Sequence, residues 1–346
     1  MADRRGQTAW LARSGCLGLW FVLSVCTALP VPATAQMTAI ASRLAATSLL
    51  LDGTAAGSRL VVVGERGHIL FSDDDGVTWT QAQVPVQVML TAVRMHDAQT
   101  GWAVGHDAVI LRTRDGGETW QLVHYAPQAQ LPLLDVWFRD ADSGFAVGAF
   151  GIFLASADGG DTWTCRNGRW EENDAETATG PPLLHAAGSD FEDDFHLNAI
   201  APAGSGRLFL TGEAGVLYRS DNNGETWRAL SSPYGGSWFG ALATNANTVL
   251  VAGLRGRLYR SEDAGENWTQ IETGTTATLT DLVRIKPDLI LITGLAGALL
   301  TSRDNGLSVS YRPLASRQGI STALVTAGGN VVLVGESGVE PLSGIE

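Results

Sequence analysis

Cysteine is scarce in this chain, with Cys16, Cys26 and Cys165 the only three among 346 residues. The first two lie in a segment that reads as a secretory signal. Arg4, Arg5 and Arg13 precede an apolar run from Cys16 to Leu29. Ala33-Thr34-Ala35 then offers small residues for cleavage before Gln36. The apolar run is shorter than the roughly 20 residues a membrane helix needs, and Pro30 and Pro32 follow it. A lipid anchor at Cys26 is disfavoured by branched Val25 beside it. Residues 1–35 are therefore expected to be a signal peptide, and residues 36–346 the mature domain. Only Cys165 survives cleavage, so no internal disulfide can form. Burial and strand pairing must hold the fold.

Other things are missing too. No later stretch is long and apolar enough to span a bilayer as a helix, which points to a soluble, periplasmic protein. Charged residues make up 17% and sum to −13. That balance excludes a protein that grips phosphates through a basic face and one that simply adheres to anionic membranes. There is no G-x-S-x-G, H-E-x-x-H or phosphate loop. No segment repeats its apolar residues with the 3.6-residue period of a helix.

What the chain has is a repeat. The string VVGERGHILFSDDDGVTW, ending at Trp79, returns as AVGHDAVILRTRDGGETW to Trp120 and AVGAFGIFLASADGGDTW to Trp163. It returns again as LTGEAGVLYRSDNNGETW to Trp227 and VAGLRGRLYRSEDAGENW to Trp268. A sixth copy has Val309 in place of the tryptophan, and a seventh starts at Leu333. The leading glycines, Gly64, Gly105, Gly148, Gly212, Gly253, Gly294 and Gly335, are spaced 41, 43, 64, 41, 41 and 41 residues apart. A period of about 40–45 residues belongs to propeller blades of four strands. The long interval holds one insertion, 165–196, between blades 3 and 4. The expected fold is all-β: a seven-bladed propeller with four-stranded antiparallel blades.

Each blade carries an Asp-box turn. Asp74, Asp115, Asp158, Asp263 and Asp304 occupy it, and Asn222 stands in once. An Asp in a turn accepts hydrogen bonds from backbone N–H groups two residues on, and the following Gly permits a positive φ. Trp79, Trp120, Trp163, Trp227 and Trp268 bury a large ring beneath the turn. The boxes lack the alternating oxygens and distal Glu of a calcium loop, so no metal and no cofactor is expected. The two residues inside each G-x-x-G fit a tight hairpin. The seventh unit ends early, so residues between Gln36 and Leu51 are expected to supply a closing N-terminal strand.

Function belongs where the repeat breaks. The hairpins and blade connections share the face opposite the Asp boxes. Glu65, His106, Glu213, Arg255 and Glu336 stand at matching places on it, with Arg257 nearby. Tyr234 and Trp238 lie in a connection, YGGSWFG. The insertion brings Trp170 and Phe191 within a mainly acidic segment that also holds His185. It reads as a solvated loop, as a docking loop anchored on those aromatics, or as a catalytic or metal site. His68, His96 and His124 read as scaffold.

The strings quoted above resemble the photosystem II stability/assembly-factor-like family of BNR-type seven-bladed propellers, over nearly the whole mature chain. That resemblance implies a non-enzymatic scaffold for a membrane-protein complex rather than a catalyst, and a monomer is expected. It implies a protein partner, which the export signal places in the envelope, while the charge balance leaves no nucleic acid expected. One departure is visible: photosynthetic members present an arginine-rich patch, whereas this chain is acidic with arginines gathered at Arg255, Arg257 and Arg260. The Asp box also resembles that of sialidases and other glycosidases, which makes glycoside hydrolysis the alternative. Such enzymes need an arginine cluster or paired acids, and the Arg-Ile-Pro segment of sialidases is absent.

Overall fold

The computed structural model describes residues 38–166 and 195–344. They form seven antiparallel sheets in chain order, six of four strands and one of three. The inner strands are Leu50–Ala56, Leu90–Met95, Leu133–Phe138, Leu197–Gly204, Trp238–Ala243, Leu279–Lys286 and Ile320–Val325. Each touches the inner strand of the next blade, and the seventh touches the first. The ring is closed.

The second strand of each blade is sandwiched between neighbouring blades. Every residue of Gly101–Gly105, Gly144–Gly148, Val249–Gly253, Leu289–Gly294 and Val331–Gly335 is buried. A strand covered on both faces reads as an unbroken apolar run, which is how these segments read. Apolar clusters therefore span the seams between blades. Trp102 of blade 2 stacks flat on Phe138 of blade 3, with centroids 3.4 Å apart. Its indole N–H donates to the Gly159 carbonyl at 3.1 Å.

The hairpins between second and third strands of blades 1 to 6 are type I′ turns, which need a positive φ at both central residues. In the first, Arg66 has φ 56 and Gly67 φ 72, and His68 N–H donates to the Glu65 carbonyl at 2.9 Å. The central pair is thus the second x and the second Gly of G-x-x-G, one place later than expected. Blade 2 manages with Asp107 and Ala108, both at positive φ.

The expected closing strand is corrected by the structure. Blade 7 consists of Ile320–Val325, Val331–Gly335 and Gly338–Leu342 alone. The N-terminal backbone bonds elsewhere: Ala39 N–H donates to the Val84 carbonyl at 2.8 Å, and Gln81 Nε2 to the Ile40 carbonyl at 3.0 Å. Residues Ala45–Thr47 form a 3-10 turn against the last hairpin, where a side chain on Gly338 would collide with the Ala46 carbonyl. Closure is apolar instead. Leu50, Leu60, Val62 and Leu70 of blade 1 pack with Leu324, Val332 and Val334 of blade 7. Ser321 Oγ donates to the Leu50 carbonyl at 3.0 Å across that seam. Pro341 lies in the last strand, where a residue without an N–H suits an edge.

Candidate functional site

The Asp turns work as a hydrogen-bonded unit, and the unit is larger than the sequence reading. Asp74 Oδ1 accepts from Ser72 Oγ at 2.8 Å and from Thr78 N–H at 2.8 Å, while Oδ2 accepts from Thr78 Oγ1 at 2.5 Å. Ser72 Oγ in turn accepts from Gly76 N–H at 3.0 Å. The Asp therefore bonds four residues on rather than two, and the hydroxyls before and after it are part of the device. The pattern recurs around Asp115, Asp158, Asp263 and Asp304. Asn222 supplies one oxygen and turns its Nδ2 to Thr226 at 3.0 Å. Bonds from Thr78 and Ser72 hold the Asp74 carboxyl at about 2, and their counterparts do the same for Asp158, Asp263 and Asp304. The indoles of Trp79, Trp120, Trp163 and Trp227 donate to the turn glycine carbonyls at 3.0–3.1 Å. That of Trp268 is buried without a partner. These turns hold the blades together; every oxygen of the Asp is engaged.

The hairpin face is more varied. Glu65 is half-exposed, and His106, Arg255 and Glu336 are exposed. Arg255 is not at the matching place: Leu254 occupies the position of Glu65, and Arg255 that of Arg66. Glu213 accepts from His196 N–H at 3.3 Å and faces its Nδ1 at 3.3 Å. Glu336 accepts from Gly319 N–H at 2.8 Å. Both carboxylates thus satisfy the amide just before an inner strand. Trp238 is fully buried, its indole donating to Ser232 Oγ at 3.1 Å, so it presents nothing to solvent. Tyr234 packs on its edge and lies under the Arg257 guanidinium at 5.7 Å. Exposed apolar side chains on this face are Tyr125, Phe150 and Leu295, at 45%, 43% and 46% exposure. His68 is buried and faces Ser48 Oγ at 3.1 Å, as a scaffold residue. Trp170, Phe191, His185 and the acids of the insertion lie outside the described residues, as does the N-terminal segment 1–35.

The central channel holds what the sequence reading missed. It encloses about 550 Å³ and is lined by Asp52, Arg94, Asp135, Asn198, Phe239 and Asp281, among others. The three carboxyls share one place, two residues into the inner strands of blades 1, 3 and 6. Crowding by protein pushes Asp52 up to about 8 and Asp135 up to about 6, and raises Asp281. Mutual repulsion adds to this for Asp52 and Asp135, whereas Arg94 draws Asp135 and Asp281 down. Each reaches the next blade: Asp52 accepts from Val93 N–H at 2.8 Å, Asp135 from Ile200 N–H at 2.7 Å, and Asp281 from Thr322 Oγ1 at 2.5 Å. Thr91 and Asn198 bridge two other seams by donating to the Leu133 and Trp238 carbonyls, and Thr280 adds a bond to the Ile320 carbonyl beside Asp281. The signal was readable as Leu-x-Asp, which opens three inner strands as LLD, LLD and LTD. Among the described residues no group of His, Cys, Asp and Glu is arranged to hold a metal.

A closed seven-bladed propeller, with Asp turns on one face and type I′ hairpins on the other, is the class these features define. The sequence model of the photosynthesis system II assembly factor YCF48 family matches residues 50–132, 71–164 and 126–289. The chain belongs to that family. Among curated proteins none matches the sequence. Two solved structures share the fold with a TM-score of 0.65: YCF48 bound to D1 peptide, 18% identical over 85% of this chain and 92% of that one, and YCF48 from Cyanidioschyzon merolae, 16% identical over 88% and 96%. The GH74 xyloglucanase from Xanthomonas campestris is also similar, with a TM-score of 0.56 and 16% identity over 81% of this chain but only half of that enzyme. Among the described residues no helix is long and apolar enough to cross a membrane.

Proposed function

We propose that the protein is an exported, non-enzymatic scaffold that binds a protein partner through its hairpin face during assembly of an envelope membrane-protein complex. One observation carries this reading. Tyr125, Phe150 and Leu295 stand exposed at or beside hairpin turns, between charged residues such as Arg66, Arg255 and Glu336. Aromatic and aliphatic anchors within a polar rim are the anatomy of a protein interface. Family membership supports an assembly role, and a relative seen with a D1 peptide supports a protein ligand. The leader at residues 1–35 supports export to the periplasm, with residues 36–346 as the mature propeller.

The alternative, glycoside hydrolysis, draws on the channel carboxyls and on the likeness to a xyloglucanase. Against it stands the use of those carboxyls: each already accepts a bond from the neighbouring blade. A photo-crosslinking residue at Phe150 or Leu295 tests the proposal in envelope preparations, with Val77 and Leu307 on the Asp-turn face as controls. Discrete protein adducts from the hairpin positions alone are expected. Equal labelling from Val77 and Leu307, which lie in the Asp turns of blades 1 and 6, or release of reducing sugar from xyloglucan or sialosides by the purified protein, overturns it.

A further inference from the structure

The seams between blades repeat a second device, and the seam between blades 3 and 4 lacks its arginine while keeping the carboxylate opposite. Four arginines cross from one blade to the Asp turn of the next and donate to the same backbone carbonyl in that turn. Arg59 reaches Gly116 at 3.1 Å, Arg112 reaches Gly159 at 2.8 Å, Arg219 reaches Ala264 at 2.8 Å and Arg260 reaches Asn305 at 2.9 Å. In three of these seams the turn also supplies a carboxylate two residues later: Glu118 for Arg59, Asp161 for Arg112 and Glu266 for Arg219. The arginine side chains are only 4–18% exposed, so each seam encloses its guanidinium. Arg112, Arg219 and Arg260 come from one column, the residue before the Ser or Thr that precedes the Asp.

Between blades 3 and 4 that column holds Ala155. The turn opposite is intact. Asn223 N–H donates to the Gly206 carbonyl at 2.7 Å, as Gly159 N–H does to Asp142 in the blade before. Glu225 stands where Glu118, Asp161 and Glu266 stand, exposed and without an ion pair among the described residues. No arginine of the described residues reaches the Asn223 carbonyl. In its place is a cavity of about 180 Å³, lined by Ala155, Asn223 and Glu225 and walled by Trp137, Phe145 and Phe153. Aromatic faces attract guanidinium, and this chain uses that attraction itself, with Arg59 seated 4.3 Å over the Phe71 ring. Two arginines border the cavity. Arg139 is held by Asp140 at 2.7 Å, and Arg166 lies on the rim.

We propose that the seam between blades 3 and 4 is a receptor for an arginine side chain presented by a partner protein. The incoming guanidinium donates to the Asn223 carbonyl and pairs with Glu225, as Arg112 and Arg219 do in the neighbouring seams, and lies against the aromatic wall, as Arg59 lies on Phe71. A planar fork of five donors suits a carbonyl beside a carboxylate, and a lysine ammonium does not reproduce it. This site lies on the Asp-turn face and stands apart from the hairpin-face proposal, so either can fail alone.

The test titrates the full mature chain with a short blocked peptide carrying one arginine, beside its lysine and citrulline counterparts. Binding is followed by calorimetry and by NMR of the Trp137 indole and the Gly224 amide. The arginine peptide is expected to shift both signals, and the other two to bind at least tenfold more weakly. Glu225→Gln should weaken binding at least tenfold without changing the melting temperature by more than a degree or so. Ala155→Arg should fill the seam from within, abolish binding and raise the melting temperature. Should that variant fail to fold, the Glu225→Gln comparison decides. Unmoved Trp137 and Gly224 signals, or equal affinity in wild type and Glu225→Gln, overturn the proposal. Binding that appears only in Arg166→Ala overturns it too, because the chain's own Arg166 is then the occupant.

Discussion

Replacing Asp52 by Asn should flatten the pH dependence of stability between pH 5 and 8. Asp52 is pushed up to about 8 in the folded chain, against 3.8 for an ordinary Asp. Between those values the folded state keeps a proton that the unfolded state has released. Stability then falls as pH rises, by at most about 1.4 kcal/mol per pH unit for one group. The side chain faces the channel and is partly exposed, so water there screens the charge and reduces the effect. About 2 kcal/mol over the whole interval is a reasonable size. For a domain of this length that is roughly 4 °C in melting temperature. An Asn oxygen still accepts from Val93 N–H, so the clasp to blade 2 survives. Asp135, which titrates at about 6, contributes mainly in the lower half of the interval. Calorimetric melting of wild type and Asp52→Asn at pH 5, 6, 7 and 8 measures the difference. The curves should lie closest at pH 5 and diverge steadily up to pH 8, with the variant more stable at the upper end. Parallel curves would refute the assignment of the raised carboxyl to Asp52.

The Asp turns carry the opposite sign. Carboxyls held at about 2, such as Asp74 and Asp263, favour the folded state above pH 4 and lose that advantage as pH falls toward 2, so acid unfolding should shift to higher pH in Asp263→Ala. Asn222→Asp should raise stability at pH 7 by about 0.5–1 kcal/mol, by restoring a charged acceptor for Thr226, and lose the gain below pH 3. Gly256→Ala should cost more than about 2 kcal/mol in chemical denaturation, because φ is +68 and the new methyl meets the Thr275 carbonyl; an unchanged midpoint would contradict the type I′ geometry of that hairpin.

The parts legible in the sequence are those that every blade needs for the same physical reason. The leading glycines leave no room for a side chain, as at Gly64 and Gly105 against the Leu49 and Met89 carbonyls, and an Asp turn demands its Asp, Gly and ring, so seven glycines and six turns announce the architecture by their spacing. Ring closure was not legible in that way. Blade 7 needs no borrowed strand because Leu324, Val332 and Val334 pack directly onto blade 1, and contacts between residues some 270 positions apart leave no local pattern. Trp238 misled for a related reason: glycines flank it as they would an exposed loop, yet it is the first residue of an inner strand and is enclosed by Leu217 of blade 4 with Val251 and Tyr259 of its own blade. Asp52, Asp135 and Asp281 alternate with apolar residues as any half-buried strand does, so only aligning the seven inner strands reveals them. The same alignment exposes the column of Phe71, Arg112, Ala155, Arg219, Arg260 and Thr301. In a repeat protein a residue that departs from its column changes the interface on one side only, and Ala155 leaves the turn of the next blade complete while removing its ligand. Departures of that kind separate what holds the ring from what the ring is able to hold.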